Sequence, residues 1–110
     1  MGETYAKLVV QPIDLVRAFK VDFCLASVIK WLTKWHMERK SEYLQRVQYY
    51  VPLCDDVDVD KGLLFAIRMY CMVNKFMEDN TKSCLLVDVV WLIMNKRIDD
   101  ARRRLEQQVN

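Results

Sequence analysis

The sequence contains few of the residues that make turns and few that bind metals. Among its 110 residues it has two glycines, two prolines and one histidine, whereas 53% of the residues are hydrophobic. So few turn-forming residues argue against a β-sandwich, and the hydrophobic share argues against a disordered chain. The length suits one domain with one core. We therefore predict an all-α, single-domain protein over residues 1–110, a compact bundle of four to five helices built on two helical hairpins.

The cysteines lack the spacing of a metal site. They are Cys24, Cys54, Cys71 and Cys84. None of them forms a CxxC pair, and zinc sites use closely spaced ligand pairs, so we predict neither a metal nor another cofactor. Three of the four lie in apolar runs, where a thiol behaves as a small hydrophobe, so core positions are favoured over a disulfide or a nucleophile.

Targeting and membrane signals are also missing. The N-terminus has no signal-peptide pattern. The longest apolar run, at residues 84–94, is interrupted by Asp88 and is too short to span a bilayer. We therefore expect a cytoplasmic protein that does not enter the membrane.

Catalytic motifs are absent as well. The sequence has no glycine-rich phosphate loop, no GKS or GKT and no nucleophile elbow. The acidic segment at residues 52–60 lacks the glycine and the terminal glutamate of a calcium loop, so we interpret it as a linker whose Asp58 or Asp60 caps the next helix. Seventeen basic and 15 acidic side chains leave a formal charge of +2, which makes a nucleic-acid partner unlikely on charge alone.

Residues 22–51 form the most informative segment. Asp22 is positioned to cap a long helix, and after a break at residues 38–40 Ser41 is positioned to cap a second one. A connection this short predicts an antiparallel hairpin. An apolar arc on the first helix recurs at about 100° per residue. Its members are Val21, Cys24, Leu25, Val28, Ile29, Trp31, Leu32 and Trp35.

The opposite side of the same helix is the candidate ligand site. It carries Phe23, Ser27, Lys30 and Lys34. Cations at i and i+4 repel each other by a few tenths of a kcal/mol, and a bridging phosphate would remove that cost, while Phe23 could stack on a base. The alternative is two lysines lying along the surface beside a Phe that packs on the N-terminal helix.

Three stretches of the first half resemble a family of small phage proteins of unknown function. They are QPIDLV at residues 11–16, DFCLASVIKWLTK at residues 22–34 and EYLQRVQYYV at residues 42–51. The matching positions are Pro12, Ile13, Asp14, Phe23, Lys30, Glu42, Leu44 and Tyr50, and more loosely Trp31, Lys34, Arg46, Val47 and Tyr49. Ala26 and Ser27 stand where the family has Gly-Asn. Some members are described as phage nucleotide kinases, so the resemblance implies contact with a nucleotide.

The second half predicts partner-binding surfaces. Residues 61–79 read as a helix that is apolar almost all round, so it is either central in the bundle or covered by another subunit. Met69 and Met72 are candidate contact residues. Residues 83–95 are ambiguous between a buried strand and a helix. We predict a helix, because no strong second strand is available to pair with it.

The last segment carries the densest positive cluster of the chain. Its members are Arg97, Arg102, Arg103 and Arg104. Pairs between Asp99 and Arg103 and between Asp100 and Arg104 are expected at helical spacing. The cluster is a candidate partner surface, although a solvated, ion-paired face is the commoner outcome.

These observations favour a small phage-type accessory protein that binds and blocks a host or defence protein, with a homodimer through the helix around Met69 as a further option. The alternative is a nucleotide-binding protein, which sequesters its ligand or, if catalytic, is a nucleotide phosphotransferase.

Overall fold

The computed structural model describes residues 7–77 and 82–109. Six α-helices and no strand occur in this part of the chain, which confirms the all-α bundle and exceeds the predicted number of helices by one. The helices are α1 (Pro12–Phe19), α2 (Phe23–Glu38), α3 (Ser41–Tyr50), α4 (Lys61–Val73), α5 (Leu85–Met94) and α6 (Ile98–Val109), with a 3₁₀ turn at Val51–Cys54 after α3. The sixth helix arises because Lys96 adopts a left-handed conformation with φ 59°, which separates α6 from α5 where continuous helical character was expected.

Capping side chains set the starts of α2 and α4 as predicted. Pro12 is the first residue of α1, where its missing N–H costs nothing. The carboxylate of Asp22 accepts a hydrogen bond from the N–H of Cys24 at 2.8 Å, and that of Asp60 accepts one from Gly62 at 2.6 Å. The prediction for α3 was wrong by one residue, because Lys40 occupies the N-cap position and Ser41 already belongs to the helix.

Helices α2 and α3 form the predicted antiparallel hairpin. Phe23, at the start of α2, lies edge-on to Tyr50, at the end of α3, with ring centroids 6.1 Å apart. Trp31, farther along α2, stacks on Tyr43 near the start of α3 at 5.8 Å. The start of α2 therefore lies against the end of α3, and later residues of α2 lie against earlier residues of α3.

Every helix contributes to one hydrophobic core. Representative buried residues from α1 to α6 are Leu15, Leu32, Val47, Ile67, Val90 and Leu105. Helix α5 is buried along most of its length, so the helical interpretation of residues 84–94 is confirmed. Cys54, Cys71 and Cys84 are buried and Cys24 is half-buried, and all four are free thiols. Among the described residues, no helix is long and apolar enough to cross a membrane.

Helix α4 ends earlier than predicted. It stops at Val73, although the apolar pattern extended the expected helix to Asp79, a residue outside the described ranges. The side chain of Asn74 takes up hydrogen bonds from the N-terminal segment: Oδ1 accepts from the N–H groups of Val9 and Val10 at 2.8 and 3.2 Å, and Nδ2 donates to the Val10 carbonyl at 2.8 Å. The helix ends where Lys75 adopts a left-handed conformation with φ 63° and the N–H of Phe76 donates to the carbonyl of Cys71, and Asn74 joins this end to the N-terminal segment.

The faces of α2 differ in part from the predicted ones. Trp35 lies in the core as expected, with 5% of its surface exposed. Trp31, assigned to the same apolar arc, is only half-buried, because it lies at the edge where α2 meets α3. Ser27 and Thr33 are buried polar residues whose hydroxyls donate to the carbonyls of Phe23 and Ile29, one turn earlier.

Candidate ligand-binding groove and cation–aromatic cluster

One concavity of the described residues lies between α1 and α2, with the end of α3 closing one side. It encloses about 700 Å³. Its lining residues are Pro12, Ile13, Val16, Arg17, Phe23, Ala26, Ser27, Lys30, Trp31 and Tyr50. We refer to this concavity as the groove. Most of its wall is apolar, with one cation on α1 and one on α2.

Three of the four predicted ligand residues line the groove. Phe23 is exposed over 72% of its surface, so its ring faces solvent instead of packing on α1. Lys30 is exposed at the other end of the lining. Ser27 is buried and its hydroxyl donates to the carbonyl of Phe23 at 2.9 Å, so its proton is already used within the helix.

The fourth predicted residue, Lys34, does not line the groove. Its Nζ lies 5.1 Å from the ring centroid of Trp31 and 5.7 Å from that of Tyr43. The structure thus places Lys30 and Lys34 on the same side of α2, but only Lys30 reaches the concavity. The predicted four-residue site is divided between the groove and the surface next to it.

Arg17 and Tyr50 belong to the groove and were not predicted as ligand residues. Arg17 stands on α1 and Tyr50 on α3. The local pattern of each helix shows an exposed cation or a terminal aromatic residue, but it does not show which other helix they face. The one signal in the sequence was the resemblance itself, because its QPIDLV and EYLQRVQYYV motifs contain the groove residues Pro12, Ile13 and Tyr50.

Three cations surround the indole ring of Trp31. Lys30 Nζ lies 4.8 Å, Lys34 Nζ 5.1 Å and Arg46 Cζ 4.7 Å from its centroid. Tyr43 stacks on the same indole with an interplanar angle of 30°. We call these five residues the cation–aromatic cluster. Cations near a ring face are attracted by its quadrupole, and together they make this surface locally positive.

A second exposed surface lies on α4. Phe65, Met69 and Val73 recur every four residues and are 69%, 43% and 39% exposed, while Met72 beside them is half-buried. We call these four residues the α4 stripe. This helix was predicted to be apolar almost all round. In the structure one apolar side is buried in the bundle and the other is exposed.

A cleft of about 360 Å³ runs beside α4 toward α5. Its lining includes Leu64 and Arg68 on α4 and Val87 and Trp91 on α5, and Trp91 is 42% exposed. Exposed apolar surface is thus present on both helices, with Arg68 between them.

The arginine cluster of α6 does not present one positive surface. Asp100 pairs with both Arg97 and Arg103, and these two guanidinium groups, Arg103 first, hold the pKa of its carboxyl below the ordinary value. Arg104 faces α5 instead, where its Nε lies 3.1 Å from a carboxylate oxygen of Asp88. The predicted pairing of Asp100 with Arg104 was therefore wrong, because packing against α5 supplies a different carboxylate.

The predicted attraction between Asp99 and Arg103 is present but weaker than that of Asp100, and both carboxylates raise the pKa of Arg103, Asp100 first. Arg103 reaches the carboxylate of Asp100, three residues before it. Arg102 is exposed, and its backbone carbonyl accepts a hydrogen bond from Gln48 at 3.0 Å. Three of the four arginines thus form ion pairs within the chain.

Two buried thiols and the single histidine lie together. Hydrogen bonds with the Cys71 thiol and then with His36 lower the pKa of Cys84, whereas the same bond to Cys84 raises the pKa of Cys71. His36 Nε2 accepts from the N–H of Leu86 at 3.3 Å, and its ring stacks on Phe76 at 4.9 Å. His36 is therefore held by ring packing and by a backbone hydrogen bond. Within residues 7–77 and 82–109, no three His, Cys, Asp or Glu side chains form a group that could hold a metal ion.

Comparison with known proteins adds no relative. No protein-family model, curated protein or solved structure matches this chain. The relation to small phage proteins therefore stays a prediction that rests on the motifs at residues 11–51.

Proposed function

We propose that this protein acts by binding a macromolecule and not by catalysis, as a phage-type accessory protein that blocks a host or defence protein. The observation that carries the proposal is the α4 stripe. It places large apolar side chains in solvent on a helix whose other side is already buried. Contiguous exposed apolar surface of this kind is typical of protein–protein contacts.

The two sides of α4 explain why the stripe is not needed for the core. Leu63, Ile67, Tyr70 and Cys71 are buried against the rest of the bundle. Phe65 lies two residues from both Leu63 and Ile67, which is about 200° around a helix, so it points the other way and stays 69% exposed. Since burying apolar surface stabilises by about 25 cal/mol per Å², a partner that covers the stripe gains free energy that folding leaves unused.

The composition of the stripe suits a protein partner. Aromatic side chains dominate interface energetics, and methionine adapts its shape to varied surfaces. Lys61 and Lys75, seven residues on either side of Arg68, are exposed at the ends of the helix region. The partner that fits best therefore has an apolar patch with carboxylates at its edge.

Affinity capture from a bacterial lysate tests the proposal. Wild-type protein should retain a stoichiometric partner, and Phe65→Asp should lose it, because the new carboxylate would be buried without a counterion. Phe23→Asp is the matched control, since Phe23 is equally exposed but lies outside the stripe. Failure to capture any stoichiometric partner, or equal loss in both variants, would count against the proposal.

Solution mass distinguishes a foreign partner from a second copy of the chain. A homodimer through the stripe should appear in sedimentation equilibrium and dissociate in Phe65→Asp. If the protein is a monomer at all concentrations, the α4 stripe is covered by a foreign partner and not by a second copy. Dimers that persist in Phe65→Asp would place the self-contact elsewhere.

A nucleotide is the second candidate ligand, and one observation favours it. Phe23, Ser27 and Lys30, proposed from the sequence, line a single groove that also receives Arg17 from α1. Its volume of about 700 Å³ falls within the range of roughly 300–1,000 Å³ that is usual for small-molecule sites. An exposed ring between two cations suits a base with a phosphate.

Calorimetry with nucleoside mono-, di- and triphosphates tests the second candidate. Binding should weaken in Lys30→Ala and stay unchanged in Lys61→Ala, a matched exposed lysine on α4. Absence of heat at millimolar nucleotide would exclude it. Phosphoryl transfer that depends on Lys30 would instead establish catalysis and overturn the first proposal.

A further inference from the structure

We propose that single-stranded nucleic acid binds along the surface formed by the groove and the cation–aromatic cluster. The inference shares the groove with the nucleotide candidate, but it does not depend on the α4 stripe. It starts from the continuity of the two features. A second concavity on α3, lined by Arg46, Tyr49 and Tyr50 among others, shares Tyr50 with the groove. Lys30 and Trp31 belong to both the groove and the cluster.

Aromatic side chains recur along this surface. Phe23 and Tyr49 are 72% and 69% exposed. Tyr50 lies between them, with ring centroids 6.1 Å from Phe23 and 5.1 Å from Tyr49. Trp31 and Tyr43 form a stacked pair farther along the hairpin. Unpaired bases stack on such rings without regard to sequence.

Cations accompany the rings. All three charges of the cluster lie within 5.1 Å of the Trp31 centroid, so no two of them are farther apart than twice that distance. Within the described residues, Lys30 and Arg46 form no ion pair with a carboxylate. Like charges this close repel each other, and a phosphate between them converts the repulsion into attraction.

The alternation of ring and cation matches a strand better than it matches one nucleotide. Phe23 and Lys34 are eleven residues apart on α2, which is about 16 Å at a rise of 1.5 Å per residue. Successive phosphates in one strand of a DNA duplex advance by only about 3.4 Å, so a stacked strand passes several phosphates along this surface. A duplex would not use the rings, because its bases are already stacked and paired.

Two carboxylates lie next to the cations of this surface, one in the concavity on α3 and one against Tyr43 of the cluster. Glu42 lines the concavity on α3, and Glu38 accepts a hydrogen bond from the Tyr43 hydroxyl at 3.3 Å. Both lie near the connection between α2 and α3, where they would repel a phosphate. The strand is therefore expected to run from the Arg17 side of the groove to Trp31 and Arg46. The arginine cluster is not part of this surface, and Arg97, Arg103 and Arg104 each pair with a carboxylate within the chain.

Fluorescence anisotropy with labelled twelve-nucleotide oligothymidylate and oligouridylate tests the inference at low and moderate salt. Phe23→Ala and Lys30→Ala should each weaken binding, and the loss for Phe23→Ala should be about tenfold, as for loss of one stacked base. The matched controls are Phe65→Ala and Lys61→Ala, an exposed ring and an exposed lysine of α4, and they should bind like wild type. Lys30→Ala should also reduce the dependence of affinity on salt.

Tryptophan fluorescence supplies a second readout. Stacking of a base near Trp31 should quench the emission on titration with unlabelled oligonucleotide, and Trp31→Phe should remove that quenching while Trp91 and Trp35 continue to emit. Thermal unfolding of each variant shows whether it is folded.

Four outcomes would overturn the inference. They are no binding at low salt, equal loss in the α4 controls, binding of a mononucleotide as tight as that of the oligonucleotides, and equal binding of heparin, which carries charge but no bases. A tightly bound mononucleotide would at the same time support the nucleotide candidate, so the two ideas are distinguishable. Oligonucleotide binding that depends on Phe23 and on Lys30 supports the inference whether DNA or RNA binds more tightly.

Discussion

Replacing Phe23 or Phe65 with alanine should leave the stability of the fold nearly unchanged. Both proposed surfaces require this result, because a ring that serves a ligand must not be a structural element of the core. The two side chains are 72% and 69% exposed. Burying a whole Phe side chain stabilises by about 1.5–3 kcal/mol, so a ring that is less than a third buried contributes at most about 1 kcal/mol.

Helix propensity acts in the opposite direction. Alanine is favoured over phenylalanine in a helix by about 0.5 kcal/mol, and Phe65 lies in the interior of α4, where this gain applies. We therefore expect the free energy of unfolding of each variant to lie within about 0.5–1 kcal/mol of wild type. Leu32→Ala provides the contrast, because Leu32 is fully buried and such truncations cost about 2–5 kcal/mol.

Urea unfolding followed by circular dichroism measures these differences, and an unchanged slope shows that the variants unfold from similar states. A loss of more than 2 kcal/mol, of the order seen for buried residues, in Phe23→Ala would show that the ring is part of the core. The exposure of Phe23 would then no longer support the assignment of the groove as a binding site. The same result for Phe65→Ala would remove the basis of the α4 stripe, and each outcome refutes one proposal without touching the other.

Three further predictions concern contacts that hold the bundle together. Asp22→Ala removes the cap of α2 and should lower stability by about 0.5–2 kcal/mol in thermal unfolding, whereas Asp22→Asn, which keeps an acceptor, should lose much less. Tyr70→Phe removes the hydroxyl that lies 2.7 Å from Thr33 Oγ1; a cost of about 0.5–1.5 kcal/mol is expected, and no cost would contradict a formed bond. Because the hydrogen bond with Cys71 lowers the pKa of Cys84, thiolate absorbance at 240 nm should persist below the usual titration range and disappear on acidification. In Cys84→Ser that low-pH signal should be absent, and an identical titration in both proteins would refute the assignment.

Local sequence was enough to predict the helices and the first hairpin. Asp22 and Asp60 accept hydrogen bonds from N–H groups two residues further on, and Pro12 has a fixed φ that suits a first helical position. Their effect on helix starts therefore does not depend on the rest of the fold. The spacing of the apolar residues likewise identified the buried side of α2 through Leu32 and Trp35. The order of helices followed from these signals alone.

The candidate site could be predicted only in part, because a ligand surface joins residues from different helices. Phe23 and Lys30 were identified from one face of α2, and both line the groove. Arg17 and Arg46 were not identified, since the helical pattern of α1 or α3 contains no information on which neighbour they face. The position of Trp31 was misjudged for the same reason: the edge between two helices exists only after they pack.

The ion pairs of α6 likewise were only partly predictable from the sequence. Sequence spacing identified the arginines and predicted ion pairs with carboxylates four residues before them, but Arg104 pairs with Asp88 on the neighbouring helix. Asn74, at the end of α4, likewise accepts hydrogen bonds from the N–H groups of Val9 and Val10, a contact that no local pattern indicates. The amino-acid sequence by itself determined where most of the helices start and which residues they bury, since those depend on hydrogen bonds and periodicity within a few residues. Tertiary structure alone decided which rings and charges meet, because those contacts require helices that are distant in the chain to come into contact.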